Sequence, residues 1–246
     1  MVALMSPPWL WLGLCVLIAF TTEAMTGFGS IVIALSLGAL LLPIGTLLPV
    51  LVPLNLIMSG YFSWRYRHRV HWPTLWRLIL PLMVIGTLAG YALRPWLGEK
   101  HLKSLFGVLV LWFSLRELWR SIRGLHPRPH GRLEARGWTL LAGITHGLFA
   151  SGGPLLVYAL SGLALDKGRF RVTLILVWFC LNSLLTLVFA LDGSLVPALP
   201  HLLVLVPVVL LAMALGEWLH HRVDEGRFRQ LVFVVLTLAG LALAWP

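Results

Sequence analysis

Residues 9–42 read WLWLGLCVLIAFTTEAMTGFGSIVIALSLGALLL, an apolar run whose strongest interruption is Thr26-Gly27-Phe28-Gly29-Ser30. A single spanning helix needs roughly 20 apolar residues, and this run is well beyond that. A second long run, 138–165, carries its own break at Ser151-Gly152-Gly153-Pro154. Glycine and proline loosen or end a helix. Irregular backbone at membrane depth survives only against protein or a water-filled cavity. Whether each long run crosses the bilayer once or enters and returns decides the fold.

Six further apolar segments, at 46–64, 75–93, 102–119, 172–191, 197–215 and 230–245, each have about the length of one span. The composition agrees. The chain has 246 residues, 59% apolar and 11% charged, with a mean hydropathy of +0.90. Soluble domains carry roughly 25% charged residues, so a disordered chain is excluded and a soluble enzyme is not expected. Cys15 and Cys180 both lie inside apolar runs, which offers neither a disulfide framework nor a CxxC metal site. No metal and no cofactor is expected. No Lys or Arg precedes the first apolar run, so a cleaved signal peptide is not expected either.

The net charge of +10 would suggest nucleic acid in a soluble protein. Here the cations gather in short stretches between apolar runs, as the positive-inside rule requires of a membrane protein, and no nucleic-acid partner is expected. The same rule chooses between the two topologies. If all eight segments cross, the 19 Lys and Arg divide ten against nine, which is no bias. If the two broken runs are hairpins, only Arg94, Lys100 and Lys103 fall outside and the other sixteen fall inside. We therefore expect a hairpin plus three spans, twice over, with both termini outside and the central loop cytoplasmic. Trp64, Trp72, Trp76, Trp119, Trp138 and Trp218 flank the inner face, while Trp9, Trp11, Trp96 and Trp245 lie near the outer one. Trp112 and Trp178 sit deeper and are expected to pack in the core.

The expected fold is an all-α polytopic membrane protein of two inverted repeats, each a broken, re-entrant helical hairpin plus three transmembrane helices. The units are a first repeat at 1–119, a cytoplasmic linker at 120–137 and a second repeat at 138–246. Three full crossings per half invert the second half relative to the first. A weak echo supports the pairing: Ala34-Leu35-Ser36 recurs as Ala159-Leu160-Ser161, Gly27 meets Gly152 at the same offset, and Asn55 and Asn182 each lie mid-span in the next helix. Inverted repeats with Gly- or Pro-broken segments mark secondary transporters, with the binding site at the breaks. Free N–H groups at half-helix N-termini attract anions, so the expected substrate is a small anion.

At these residues the chain resembles the TauE/SafE family of sulfite exporters. The likeness runs over roughly 15–245. It is carried by Thr26-Gly27-Phe28-Gly29 with its apolar run to Pro43, the basic helix end at Arg65–His71, and Leu102-Lys103-Ser104-Leu105-Phe106-Gly107. In the second half it is carried by Gly143-Ile144-Thr145-His146-Gly147, Ser151-Gly152-Gly153-Pro154 and Lys167-Gly168-Arg169-Phe170-Arg171. The resemblance implies movement of sulfite, sulfonates such as sulfoacetate, or related organic anions. One departure is Ser30-Ile31-Val32-Ile33, where family members often carry a denser glycine run.

The candidate substrate-binding residues are Gly27, Phe28, Gly29, Ser30, Asn55, Ser151, Gly152, Gly153 and Asn182. Glu23 is an acidic residue well inside an apolar run, a placement that marks functional residues by default, and it is the candidate carrier of a coupled proton. His146, five residues before Ser151, is a candidate ligand or proton relay, or a packing hydrogen bond. Arg171 suits a sulfonate as a ligand, but more often such a residue snorkels and sets topology. The Arg65–Arg69 run sets topology and can meet anionic lipid. Asn55 and Asn182 could equally glue helices together.

The leading expectation is thus a secondary transporter, not an enzyme, with alternating access around two hairpin tips. No GxxxxGK[ST] occurs, so no ATP-driven step is expected in this chain. The alternatives are an anion channel and an intramembrane hydrolase using Ser151 and His146, although Phe149-Ala150 before Ser151 is not the usual nucleophile elbow. The expected location is a bacterial cytoplasmic membrane, with a lipid bilayer and a small anion as partners. A homo-oligomer is compatible with the sequence.

Overall fold

A computed structural model describes residues 6–123, 131–160, 167–220, 222 and 225–245. Among these residues the regular structure is helical. The first long run breaks where its glycines stand. Helix α1 (Pro7–Thr26) stops on Gly27, whose φ of 89° suits a residue without Cβ, and whose N–H returns to the Glu23 carbonyl at 2.7 Å. Helix α2 (Ser30–Gly38) begins after Gly29. Trp11 Nε1 donates to the Leu37 carbonyl at 2.9 Å, and Gly38 abuts Leu12. The two ends of the run lie side by side, so the run folds back on itself as a hairpin.

The second run repeats the device. Helix α6 (Arg132–Phe149) stops on Ala150, at φ 51°, and helix α7 (Gly153–Ala159) turns back until the Tyr158 ring meets Trp138 edge-on at 5.0 Å. The expected end of this hairpin, 161–165, lies outside the described residues. The remaining helices are α3 (Ile44–Tyr66), the short α4 (Trp72–Thr74), α5 (Leu80–Arg123), α8 (Lys167–Leu191), α9 (Leu195–His220) and α10 (Glu225–Ala244). Among the described residues five helical stretches are long and apolar enough to cross a bilayer. One of them, Trp72–Arg123, breaks at Gly98, where φ is 64° and ψ is 161°. Before the break Gly86 and Thr87 meet Gly143 and Gly147 in parallel order. After it Phe106 meets Phe149 while Arg116 meets Tyr158 beside Trp138, in the opposite order. The chain therefore reverses at Gly98, and the segments expected at 75–93 and 102–119 are its two arms.

The helices interlock across the halves. Helix α3 crosses α8 antiparallel, through Asn55 on Asn182, Gly60 on Phe179, and the His71 N–H on Thr173 Oγ1 at 3.0 Å. Helix α1 runs parallel to α9, with Gly13 on Leu205, Thr21 on the Ala212 carbonyl and Ala24 on Gly216. Helix α6 runs parallel to the first arm of α5. The second arm crosses α10 antiparallel, through Gly107 on Ala244, Leu111 on Gly240, and Ser114 on Thr237.

The α5–α6 seam is the tightest of these. Gly86 and Gly90 on one helix face Gly143 and Gly147 on the other, two Gly-x-x-x-Gly pairs. A Cβ on Gly90 would fall on the Ile144 carbonyl, and one on Gly147 on the Thr87 carbonyl. Small residues let helix backbones approach where lipid supplies no hydrophobic drive between helices.

Two features differ from the sequence expectation. Helix reaches into the expected linker from both sides, to Arg123 and from Arg132, because Arg and Glu are good helix formers and Arg120 donates to Glu117 one turn back at 3.1 Å. Residues 124–130 lie outside the described part. Trp112 is 43% exposed rather than a core residue, since a lipid-facing position accepts an aromatic ring as readily as the interior does.

Where α3 begins, α5 reverses and α8 ends, a cavity of about 720 Å³ carries Arg94, Glu99 and Asp192. Glu99 caps α3, accepting the Ile44 N–H at 2.6 Å. Asp192 accepts the Ser194 N–H at 2.8 Å and the Tyr91 hydroxyl. Desolvation pushes the Asp192 carboxyl up, but the bonds from Ser194 and Tyr91 and the nearby Arg94 charge together hold it below its ordinary value. Its stabilising contribution is then full above the ordinary carboxylate value of about 4 and is lost as pH falls through the lower native one. The group is well exposed, so the effect is small. Melting curves of the wild type and Asp192→Asn should differ by no more than about 2–4 °C at neutral pH, with the gap closing in acid.

Candidate functional site

Both breaks face one small interior cavity. The first run contributes Glu23 and Gly29, the second His146, Ser151 and Gly153, helix α3 Asn55, and helix α8 Trp178 and Asn182. The local sequence accounts for the convergence. A left-handed Gly27 and Gly29 swing α2 back beneath Glu23, and the turn at Ala150 presents Ser151 to the same space.

On the first-break side the polar groups satisfy one another. The Ser30 N–H donates to Glu23 Oε2 at 2.8 Å. Asn55 Nδ2 donates to Glu23 Oε1 at 3.0 Å and to Ser30 Oγ at 2.8 Å. Asn182 Nδ2 donates to Asn55 Oδ1 at 2.6 Å, which joins the two mid-span asparagines directly. The leading amide of α2, where the sequence suggested an anion, is thus occupied by the protein's own carboxyl group.

The second-break side is different. Ser151 Oγ and Trp178 Nε1 are buried without a protein hydrogen-bond partner, while the His146 ring and the Asn182 side chain lie close enough to interact without forming a well-aligned hydrogen bond. Ser151, Trp178, His146 and Asn182 are 3%, 6%, 1% and 1% exposed, respectively. The His146 and Trp178 rings stack, centroids 5.9 Å apart at 16°. Buried polar groups are nearly always paired, and each one left unmade costs roughly 1–3 kcal/mol. These four residues line one cavity. No hydrogen bond joins Ser151 to His146, so the pair lacks the contact that activates a serine nucleophile.

The other sequence candidates fall nearby but not on this cavity. Gly27 is pressed under the Arg171 side chain, where a Cβ would collide with its stem. Phe28 lines a small neighbouring apolar cavity with Phe113 and Phe233. Gly152 packs beneath the tip, against the Ala142 carbonyl. Arg171 donates to the Ala24 carbonyl and borders a separate, larger cavity of about 1060 Å³ together with Arg65, Arg69 and Glu217. Trp178 packs in the core as expected, in one cluster with Leu155 and Leu181, and also turns toward this cavity; a tryptophan within an apolar helix carries no mark of an unpartnered N–H. Among the described residues no group of three or more His, Cys, Asp or Glu is placed to hold a metal.

Comparison with known proteins places this architecture. The profile of the family described as "Sulfite exporter TauE/SafE" matches residues 12–243. A Comamonas testosteroni protein named "Probable inner membrane transporter protein TsaS" is 27% identical over 202 residues, 78% of each chain. A Cupriavidus necator protein named "Probable sulfite/organosulfonate exporter TauE" is 27% identical over 235 residues, 92% of this chain and 89% of its own. No solved structure matches. With the profile covering nearly the whole chain, on a multi-pass helical frame with two broken hairpins, the chain belongs to the TauE/SafE sulfite exporter family.

Proposed function

We propose that the chain is a secondary transporter of small oxyanions, sulfite or sulfonates such as sulfoacetate, which bind where the two hairpin tips meet. The observation that carries this is the set of buried polar groups on the second-break side: the Ser151 hydroxyl and the Trp178 N–H, both unpartnered, and the His146 ring. Three neutral side chains able to donate converge on one cavity, and hydrogen bonds to a charged group are stronger than those between neutral ones. The printed names of the relatives, an exporter of sulfite or organosulfonate and an inner membrane transporter, support the same substrate class.

The helix pairing supports two inverted repeats. Exchanging the halves turns α1 against α9 into α6 against the first arm of α5, both parallel. It returns α3 against α8, and the second arm of α5 against α10, each to itself and antiparallel, as a two-fold axis in the membrane plane requires. The cavity lies between a basic chamber at Arg65, Arg69 and Arg171 and the mixed-charge chamber at Arg94, Glu99 and Asp192. Alternating access opens the tips to one chamber and then the other. By the positive-inside rule the basic chamber is cytoplasmic, where it gathers anions and meets anionic lipid, and both termini are outside.

The test is counterflow of radiolabelled sulfite and sulfoacetate in proteoliposomes. Saturable exchange is expected. Ser151→Ala should raise the half-saturating concentration about tenfold, the loss of one hydrogen bond to a charged ligand, without lowering the melting temperature. A flux proportional to concentration would favour a channel. No flux of either anion would remove the reading.

A further inference from the structure

The polarity of the hydrogen-bond chain beside the cavity is set at one end by a group that cannot turn round. The Ser30 N–H only donates, so Glu23 Oε2 accepts. Ionised Glu23 accepts through Oε1 as well, which obliges Asn55 to face it with Nδ2 and to face Asn182 with Oδ1. Asn182 must then give Nδ2 to Asn55, and its Oδ1 is left on the cavity side, beside the His146 ring that interacts with this side chain. Each step follows from the one before. Asn182 therefore turns an acceptor toward the cavity, the wrong group for binding an anion.

A proton on Glu23 Oε1 reverses every link. The new O–H donates to Asn55 Oδ1, Asn55 turns its amide and donates Nδ2 to Asn182 Oδ1, and Asn182 Nδ2 swings into the cavity. Resting on the anion-transport reading above, we propose that protonation of Glu23 reverses the Glu23–Asn55–Asn182 chain, turns the cavity-facing Asn182 group from acceptor to donor, and so couples one proton to each anion bound. One O–H bond forms at Glu23, two amides rotate, and the Ser30 hydroxyl, which accepts from Asn55 Nδ2 in the ionised state, turns to donate to Asn55 Oδ1. Neutralising Glu23 also removes its repulsion of the anion, so both effects act in the same direction. Three other ionisable groups stand near Glu23: Arg171 on α8 acts on it electrostatically, His146 on α6 shares the cavity, and Glu217 on α9 borders the chamber beyond Ala24. Asn182 is in this reading a positioning residue for the proton and a ligand for the anion, roles that neither asparagine has as helix glue.

The experiment uses the full chain in proteoliposomes with an entrapped pH dye and two probes, sulfite and methanesulfonate. Methanesulfonate keeps its charge throughout the working pH range, so any pH dependence belongs to the protein. The wild type should move protons with the anion, and its affinity should weaken about tenfold or more as the pH is raised from the acid to the alkaline end of the range, the scale of one hydrogen bond to a charged group. Glu23→Gln offers Ser30 its Oε1 and Asn55 its Nε2, which locks the reversed chain. Its affinity should not change with pH, and it should move no protons. Asn182→Leu should lose about tenfold in affinity at the acid end and little at the alkaline end. Proton movement in Glu23→Gln, or an equal loss at both pH values in Asn182→Leu, overturns the inference. A wild type that exchanges anions without protons overturns it while leaving the transport reading in place. A wild type that exchanges neither probe overturns both.

Discussion

Alanine at Gly147 is expected to leave little folded protein, while alanine at Gly137 in the same helix is expected to stabilise it. Both changes add one methyl group to α6. Helix propensity alone favours alanine over glycine by about 1 kcal/mol at each position. At Gly137 nothing lies within 4 Å of the new Cβ, so that gain stands. At Gly147 the Cβ lands on the Thr87 carbonyl and the Tyr91 nitrogen. Backbone atoms cannot swing aside as a side-chain end can. The whole helix must withdraw, and the contacts at Gly86, Gly90 and Gly143 open with it. Overpacking of a core typically costs about 1–3 kcal/mol, and a seam of four glycines puts this case at or above the top of that range. Size-exclusion profiles and melting temperatures of the two variants in detergent read the difference. A Gly147→Ala protein as stable as Gly137→Ala would show that the helices are not this close.

Phenylalanine at Trp178 is expected to separate stability from binding. The ring still stacks on His146, but the buried, unpartnered N–H is gone. The ligand-free protein should lose nothing in stability and gain up to about 1–3 kcal/mol, because an unsatisfied buried donor is removed. Affinity for the oxyanion should fall by roughly 10–100-fold, because the same donor would have paired with a charged oxygen. A packing residue would show the opposite: lower stability from the smaller ring, with affinity unchanged. Thermal unfolding with and without sulfite reads both quantities on one sample.

The contrast between the two breaks shows how far sequence reasoning reached into the site. The glycines at 27 and 29 and the run Ser151-Gly152-Gly153 were recognisable because few other residues interrupt a long apolar run. Asn55, Asn182, Glu23 and His146 were recognisable because polar groups in hydrocarbon are costly and therefore few. What the residues do to one another was not recognisable. Sequence suggested two equivalent tips, each pointing free amides at an anion, whereas the leading amide of the first tip is taken by Glu23 and the open donors lie by the second. Phe28, Gly152 and Arg171 belong to the right region but stand one layer away from the cavity. The two Gly-x-x-x-Gly pairs are present in the sequence, but in a chain with 23 glycines their meaning rests on which helix each one faces.

By itself the order of residues determined a helical membrane protein and its two broken hairpins. Those properties follow from transfer free energies and charge distribution, which are summed along the chain and need no partner. The tertiary structure alone decided that Asn55 meets Asn182, that Glu23 caps the first tip, and that Trp178 faces the second. Hydrogen bonds and steric contact act over a few ångströms between residues more than a hundred positions apart, and only the packed helices bring such residues within that range.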